Sequence, residues 1–159
     1  MHDRPGDPLP SPALRTYHAA GEFRQAHDMS MAQPWLLVML GSAIGGGVRL
    51  WLSTAVARPL GTRFPWGTLT VNLLGCLLVG ILGAVLAPPG RMHDAQPLRI
   101  FLVVGVLGGF TTFSAFALDA LMLVQRGAAG AAAVYVLASV LGCLLAAGVA
   151  YAAVATALR

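Results

Sequence analysis

Four long apolar stretches limit what this chain can fold into. They run from about Pro34 to Ala57, Trp66 to Ala87, Leu98 to Val124 and Ala128 to Leu158. Each exceeds the roughly 20 residues that carry a helix across about 30 Å of hydrocarbon. Lipid offers no water to a stray amide or carbonyl, so stretches of this length and polarity span as helices. The linkers are short and hold helix breakers: "RPLGTRFP", "PPGRMHDAQP" and "QRG". Trp35 and Trp66 stand at segment ends, where interfacial aromatics belong, and Trp51 lies near the other end of the first. The sequence therefore predicts an all-α membrane protein with four transmembrane helices within residues 32–159. Residues 1–31 form a polar tail holding Pro5, Pro8, Pro10 and Pro12, mixed charges and three of the four histidines. That composition predicts disorder, and the tail lacks the apolar centre of a signal peptide. Met29 and Met31, just ahead of the first span, are alternative starts for the chain.

Composition excludes several function classes. Only 10% of the 159 residues are charged, against about 25% in soluble domains. The ten basic residues are all Arg, scattered along a chain of net charge +4, and they form no stripe of the kind nucleic acid requires. Cys76 and Cys143 lie inside apolar runs without metal-ligand spacing, and read as packed thiols. No nucleophile elbow, phosphate loop, HExxH or paired-carboxylate motif occurs, so enzyme chemistry has little to work with. The arginines also say little about orientation. Arg24, Arg91, Arg99 and Arg159 lie on one side, and Arg58, Arg63 and Arg126 on the other, joined by Arg49 if it reaches outward. This near tie leaves both insertions, and pairing of oppositely oriented copies, open.

The polar residues inside the spans carry the functional argument, because such groups are costly in lipid and usually have a task. Thr68, Asn72 and Cys76 recur every four residues on the second span, and Gly80 continues their row. Tyr135, Ser139 and Cys143 repeat the device on the fourth, beside a small-residue stripe of Ala138, Gly142, Ala146 and Ala150. Gly41 and Gly45 form a GxxxG on the first span, with Arg49 one turn further. The glycine and alanine stripes read as packing surfaces, whereas the polar rows fit either helix–helix hydrogen bonding or a wet path. In the third span "GGFTTFSAF" (108–116) sets two glycines, three hydroxyls and three phenylalanines in one short stretch. Paired glycines favour a break, which frees backbone carbonyls of the kind that hold small cations in discontinuous helices. Phe113 and Phe116 share a face; they read as packing aromatics or as ring edges, whose positive rim meets an anion beside the Asn72 carboxamide.

Taken in order, "GSAIGGGVR" (41–49), "GTLTVN" (67–72), "GGFTTFSAF" (108–116) and the Tyr135/Ser139 pair resemble the small bacterial fluoride channels called Fluc or CrcB. The likeness covers residues 34 to about 157. It implies an antiparallel, dual-topology homodimer of four-helix subunits in the bacterial inner membrane, with the third helix broken mid-membrane. It further implies two pores that let fluoride leave the cell passively, conferring fluoride resistance. A structural Na+ at the dimer centre is implied too, held by the Gly108 and Thr111 carbonyls of each subunit. Matched position by position, Asn72, Phe113 and Phe116 line the pore, with Thr68, Ser114, Tyr135 and Ser139 along the polar path. Arg49 stands in a vestibule, and Asp119 occupies a position that is usually Glu. The chain departs from the family at Ala115, Ala117 and Cys143, where hydroxyls are usual.

A dual-topology multidrug exporter is the chief rival reading. It needs a proton-exchanging carboxylate in the first span, which has none; Asp119 is the only acid in any span. A purely structural membrane protein, its polar rows serving as helix glue, is a third reading and predicts no ion flux.

Overall fold

A computed structural model of the chain describes residues 12–86 and 96–158, with side chains from residue 33 onward. The described residues fall into two units, divided between Trp35 and Leu36. Of the first, the described part is the helical backbone of α1 (Pro12–Leu60) from its start. Helical backbone is described from Pro12, and residues 1–11 of the expected tail lie outside the described residues. All four tail prolines precede or open α1, where proline's fixed φ and missing amide are tolerated.

The second unit continues with α2 (Trp66–Leu86), α3 (Gln96–Arg99), a π-helical segment (Ile100–Leu107), α4 (Gly108–Phe110), α5 (Phe113–Gln125) and α6 (Ala129–Ala157). No strand occurs among the described residues. Four helical stretches are long and apolar enough to cross a membrane: Gln33–Leu60, Trp66–Leu86, Gln96–Gln125 and Ala129–Ala157. They match the four apolar segments to within a few residues, and the chain is a multi-pass membrane protein. α1 and α5 are each closed by a glycine in the left-handed region, Gly61 at φ 79° and Gly127 at φ 73°. The Gly61 amide donates back to the Ala57 carbonyl at 2.9 Å, and the Gly127 amide to that of Val124 at 2.9 Å.

Between helices in lipid the hydrophobic effect contributes little, so close packing has to hold them together. Glycine supplies it. A Cβ on Gly41 would stand 2.8 Å from Gly105 Cα, one on Gly45 would collide with the Val106 carbonyl, and one on Gly109 would lie 2.6 Å from the Ser42 carbonyl. The GxxxG of α1 is therefore seated directly on the π segment and α4. Ser42 Oγ reinforces the seat, donating to the Gly105 carbonyl at 3.4 Å.

α2 and α6 share a long interface. They run parallel, because Leu73 packs on Gly142, the Ala147 backbone on Gly80 and the Tyr151 ring on Gly83, in rising order along both. The row Thr68, Asn72, Cys76, Gly80 consequently faces the row Tyr135, Ser139, Cys143, Ala147, rung against rung. The small core lies between these helices and the third span. Tyr135 and Val71 are its fully buried side chains, with Leu69, Phe116, Leu123 and Ala132 around the first and Leu107 and Phe110 around the second.

Candidate functional site

Between α4 and α5 the backbone leaves the helical region. Thr111 has φ −78° and ψ 158°, and Thr112 has φ −153° and ψ 117°. Two amides are redirected there. The Thr112 amide, whose helical acceptor four residues back is Gly108, donates to Asn72 Oδ1 at 2.8 Å. The Ala115 amide, whose helical acceptor is Thr111, donates to Thr112 Oγ1 at 3.2 Å, making Thr112 the N-cap of α5. The Gly108 and Thr111 carbonyls thereby lose their helical donors. These are the two oxygens that the sequence resemblance assigns to a cation, and hard carbonyl oxygens without donors have the chemistry for one.

Asn72 stitches the opened backbone like a peptide group. Besides accepting from the Thr112 amide it donates through Nδ2 to the Thr112 carbonyl at 3.0 Å. Its carboxamide carries two N–H donors, so one remains. Asn72 lines a cavity of about 240 Å³ together with Thr112, Phe113, Phe116 and Ser139, and with Cys76 and Cys143 one rung on. Ser139 is 5% exposed and its Oγ has no hydrogen-bond partner. A buried hydroxyl without a partner is costly, and this one borders the same cavity as the remaining Asn72 N–H.

The first rung behaves differently. Thr68 Oγ1 donates to Asp119 Oδ2 at 2.7 Å, and the Tyr135 hydroxyl donates to the same oxygen at 3.3 Å. Three elements, α2, α5 and α6, are joined through one carboxylate. Asp119 ties the Thr68/Tyr135 rung across three helices, whereas on the Asn72/Ser139 rung the Ser139 hydroxyl, without a partner, borders the cavity.

Aromatic rings connect the two levels. Phe113 and Phe116 have centroids 5.3 Å apart, Phe116 and Tyr135 5.4 Å, and Tyr135 meets Phe64 edge-on at 5.6 Å. Phe64 in turn stacks near Trp66 at 4.6 Å. Phe116 is buried, while Phe113 is 77% exposed on the single chain. Tilted and edge-on pairs direct positive ring rims sideways, which is the geometry an anion can use. Phe64 and Trp66 belong to a further cavity of about 390 Å³ that also contains Thr68, Asp119, Arg63 and Arg126.

Arg49 lines a separate cavity of about 420 Å³ with Ser53, Thr68, Thr112 and Ala115. Ser114 is not among the residues around Phe113 and Phe116; it is exposed, with its Oγ 3.2 Å from Thr112 Oγ1. Of the expected site residues, Asn72, Phe113, Phe116 and Ser139 therefore share one cavity, Thr68 and Tyr135 meet at Asp119, and Arg49 stands apart. Sequence reasoning passed over Thr112 and Phe64. Thr112 was legible as a hydroxyl just ahead of an apolar helical run, the signature of an N-cap. Phe64 sits in a linker with no periodic pattern to place it.

Comparison with known proteins identifies the family. Residues 36–151 match the family model described as CrcB-like protein, Camphor Resistance (CrcB). A protein of Chelativorans sp. (strain BNC1) named "Fluoride-specific ion channel FluC" is 52% identical over 111 residues, which are 70% of this chain and 87% of that one. Proteins of the same name from Rhizobium etli (strain CIAT 652) and Agrobacterium fabrum (strain C58 / ATCC 33970) are 47% and 50% identical, each over 65% of this chain and 82% and 81% of theirs. The family match over most of the chain and these relatives lead to one conclusion: the chain belongs to the CrcB family.

Proposed function

We propose that this chain is a fluoride channel, a conduit and not an enzyme, through which fluoride leaves the bacterial cell passively across the inner membrane. The observation that carries the reading is the cavity beside the opened backbone. It sets the remaining Asn72 N–H, the partnerless Ser139 hydroxyl and the rings of Phe113 and Phe116 around one space. Each presents hydrogens or a positive rim, and none presents a negative charge. Such a lining replaces the water of a small anion and offers a cation little. The names of the relatives point to the same ion.

A negative-inside membrane potential drives anions outward, so a passive path is enough to relieve a cell of fluoride that entered as HF. Arg49, in its own cavity, would raise the local anion concentration at a vestibule.

The functional unit in this reading is an antiparallel homodimer. Phe113, largely exposed on the single chain, and the apolar outer face of α1 then gain cover from a second copy. The interruption at Thr111–Thr112 falls mid-membrane, where freed carbonyls need protein, water or an ion. A structural Na+ fits the Gly108 and Thr111 carbonyls of both subunits; bound there, it supplies the positive charge that their lost amide donors no longer provide.

The test is fluoride efflux from vesicles that contain only purified protein, with chloride as the control. Rapid fluoride efflux with chloride retained is the expected result. Vesicles that hold fluoride, or that lose chloride equally fast, would overturn the assignment.

A further inference from the structure

The third rung of the α2–α6 interface joins two thiols that the proposed function leaves unused. Cys76 and Cys143 are both free and half-buried. Each lies one helical turn before a member of the Gly80–Ala147 contact, on helices that run parallel, and both line the cavity of about 240 Å³ that holds Asn72 and Ser139. Ser139, whose buried Oγ has no protein partner, borders the same space.

We propose that Cys76 and Cys143 form a two-thiol site for a soft, two-coordinate divalent cation of the Hg2+ type, and that filling it obstructs the cavity. The chemistry selects the ion. Soft thiolates favour soft d10 cations. Zn2+ takes four protein ligands in a closed site, and no group of three or more His, Cys, Asp or Glu is present among the described residues. On binding, two S–H bonds break, two S–Hg bonds form and two protons leave to water. The product, two thiolates on one divalent cation, carries no net charge. That neutrality suits an apolar cavity at membrane depth, where a residual charge would be expensive. The obstruction rests on the fluoride reading; the site itself does not.

The experiment has two independent readouts. Purified, reduced protein is titrated with mercuric nitrate while thiolate-to-metal ultraviolet absorption and proton release are recorded. Cysteine accessibility is then read by maleimide labelling and mass spectrometry. One Hg2+ per chain, two protons released and joint protection of Cys76 and Cys143 are expected, with Zn2+ protecting neither. Cys76→Ser and Cys143→Ser should each weaken binding by more than about 100-fold, because chelation makes the second bond intramolecular. Two metal ions per chain, or protection of one cysteine without the other, would overturn the paired site. In vesicles, efflux with and without Hg2+ is compared within each protein. Inhibition in the wild type and its loss in the C76S/C143S double variant are expected. A filled site with undiminished efflux overturns the obstruction. Absence of any fluoride efflux overturns the transport reading together with the obstruction, while the titration still decides the site.

Discussion

Asn72 holds the opened backbone and faces the cavity at once, so substitutions there act on both. In Asn72→Asp the Nδ2 donor becomes an oxygen opposing the Thr112 carbonyl. A lost hydrogen bond that leaves a buried acceptor unpaired costs about 1–3 kcal/mol, and the carboxylate also repels an anion. Fluoride efflux should vanish and thermal stability in detergent should fall; normal conduction would place Asn72 outside the path. Ser139 separates the two roles. Its Oγ makes no hydrogen bond, so Ser139→Ala removes no protein interaction and should leave stability unchanged or raise it by up to about 1 kcal/mol. Efflux should nonetheless drop several-fold, because a donor to the passing ion is gone. A matched fall in stability would mark the hydroxyl as structural instead. Phe113 is 77% exposed on the single chain and therefore contributes little to the fold of one subunit. Phe113→Ile should abolish or greatly reduce efflux while the protein still elutes as a folded dimer, and undiminished efflux would contradict an aromatic-edge path.

The helices owe their packing to missing side chains, and that gives a prediction at the scale of elements. In Gly45→Ala the new methyl meets the Val106 carbonyl, a backbone atom that cannot swing away. Overpacking of this kind costs about 1–3 kcal/mol, whereas a Cβ on Gly148 meets nothing within 4 Å, and Gly148→Ala should be neutral or slightly stabilising. Unfolding of the two variants in detergent, measured side by side, checks the contrast; equal stability would mean that α1 does not seat on the π segment. This element-level detail was only partly legible in the sequence. The four spans follow from length and polarity, and the rows on α2 and α6 follow from a spacing of four. What spacing could not disclose is that the rows face each other, because that depends on the relative register of two helices far apart in the chain. Nor was the π segment legible. Ile100–Leu107 is apolar at nearly every position, so no period distinguishes a π turn from an α turn. The break itself was signalled by Gly108 and Gly109, yet the helix opens just after them, at Thr111 and Thr112. Asn72 and Thr112 Oγ1 capture amides there that an uninterrupted helix would have used.

The near balance of arginines on the two sides bears on the whole molecule. The positive-inside rule acts on Arg near span ends, and the chain offers almost equal numbers to each side. In an antiparallel dimer that balance is a requirement, since one sequence has to insert both ways in comparable amounts. Unbalancing it should therefore remove function without touching the cavity. Arg91→Gln with Arg99→Gln depletes one side, and Arg58→Gln with Arg126→Gln depletes the other. Among the described residues, Arg58, Arg99 and Arg126 do not line the cavity that holds Asn72, Phe113 and Phe116. Each double variant, made alone, should insert predominantly one way and protect fluoride-stressed cells poorly, because like-oriented copies cannot pair head to tail. Made together in one cell, the two should restore protection, each supplying the orientation that the other lacks. Accessibility labelling of a single engineered surface cysteine, in a background free of Cys76 and Cys143, reports the orientation directly. If each variant alone keeps full protection while labelling shows one orientation, the working unit is not an antiparallel pair. If both variants fail even together while remaining folded, the arginines act on the ion and not on topology.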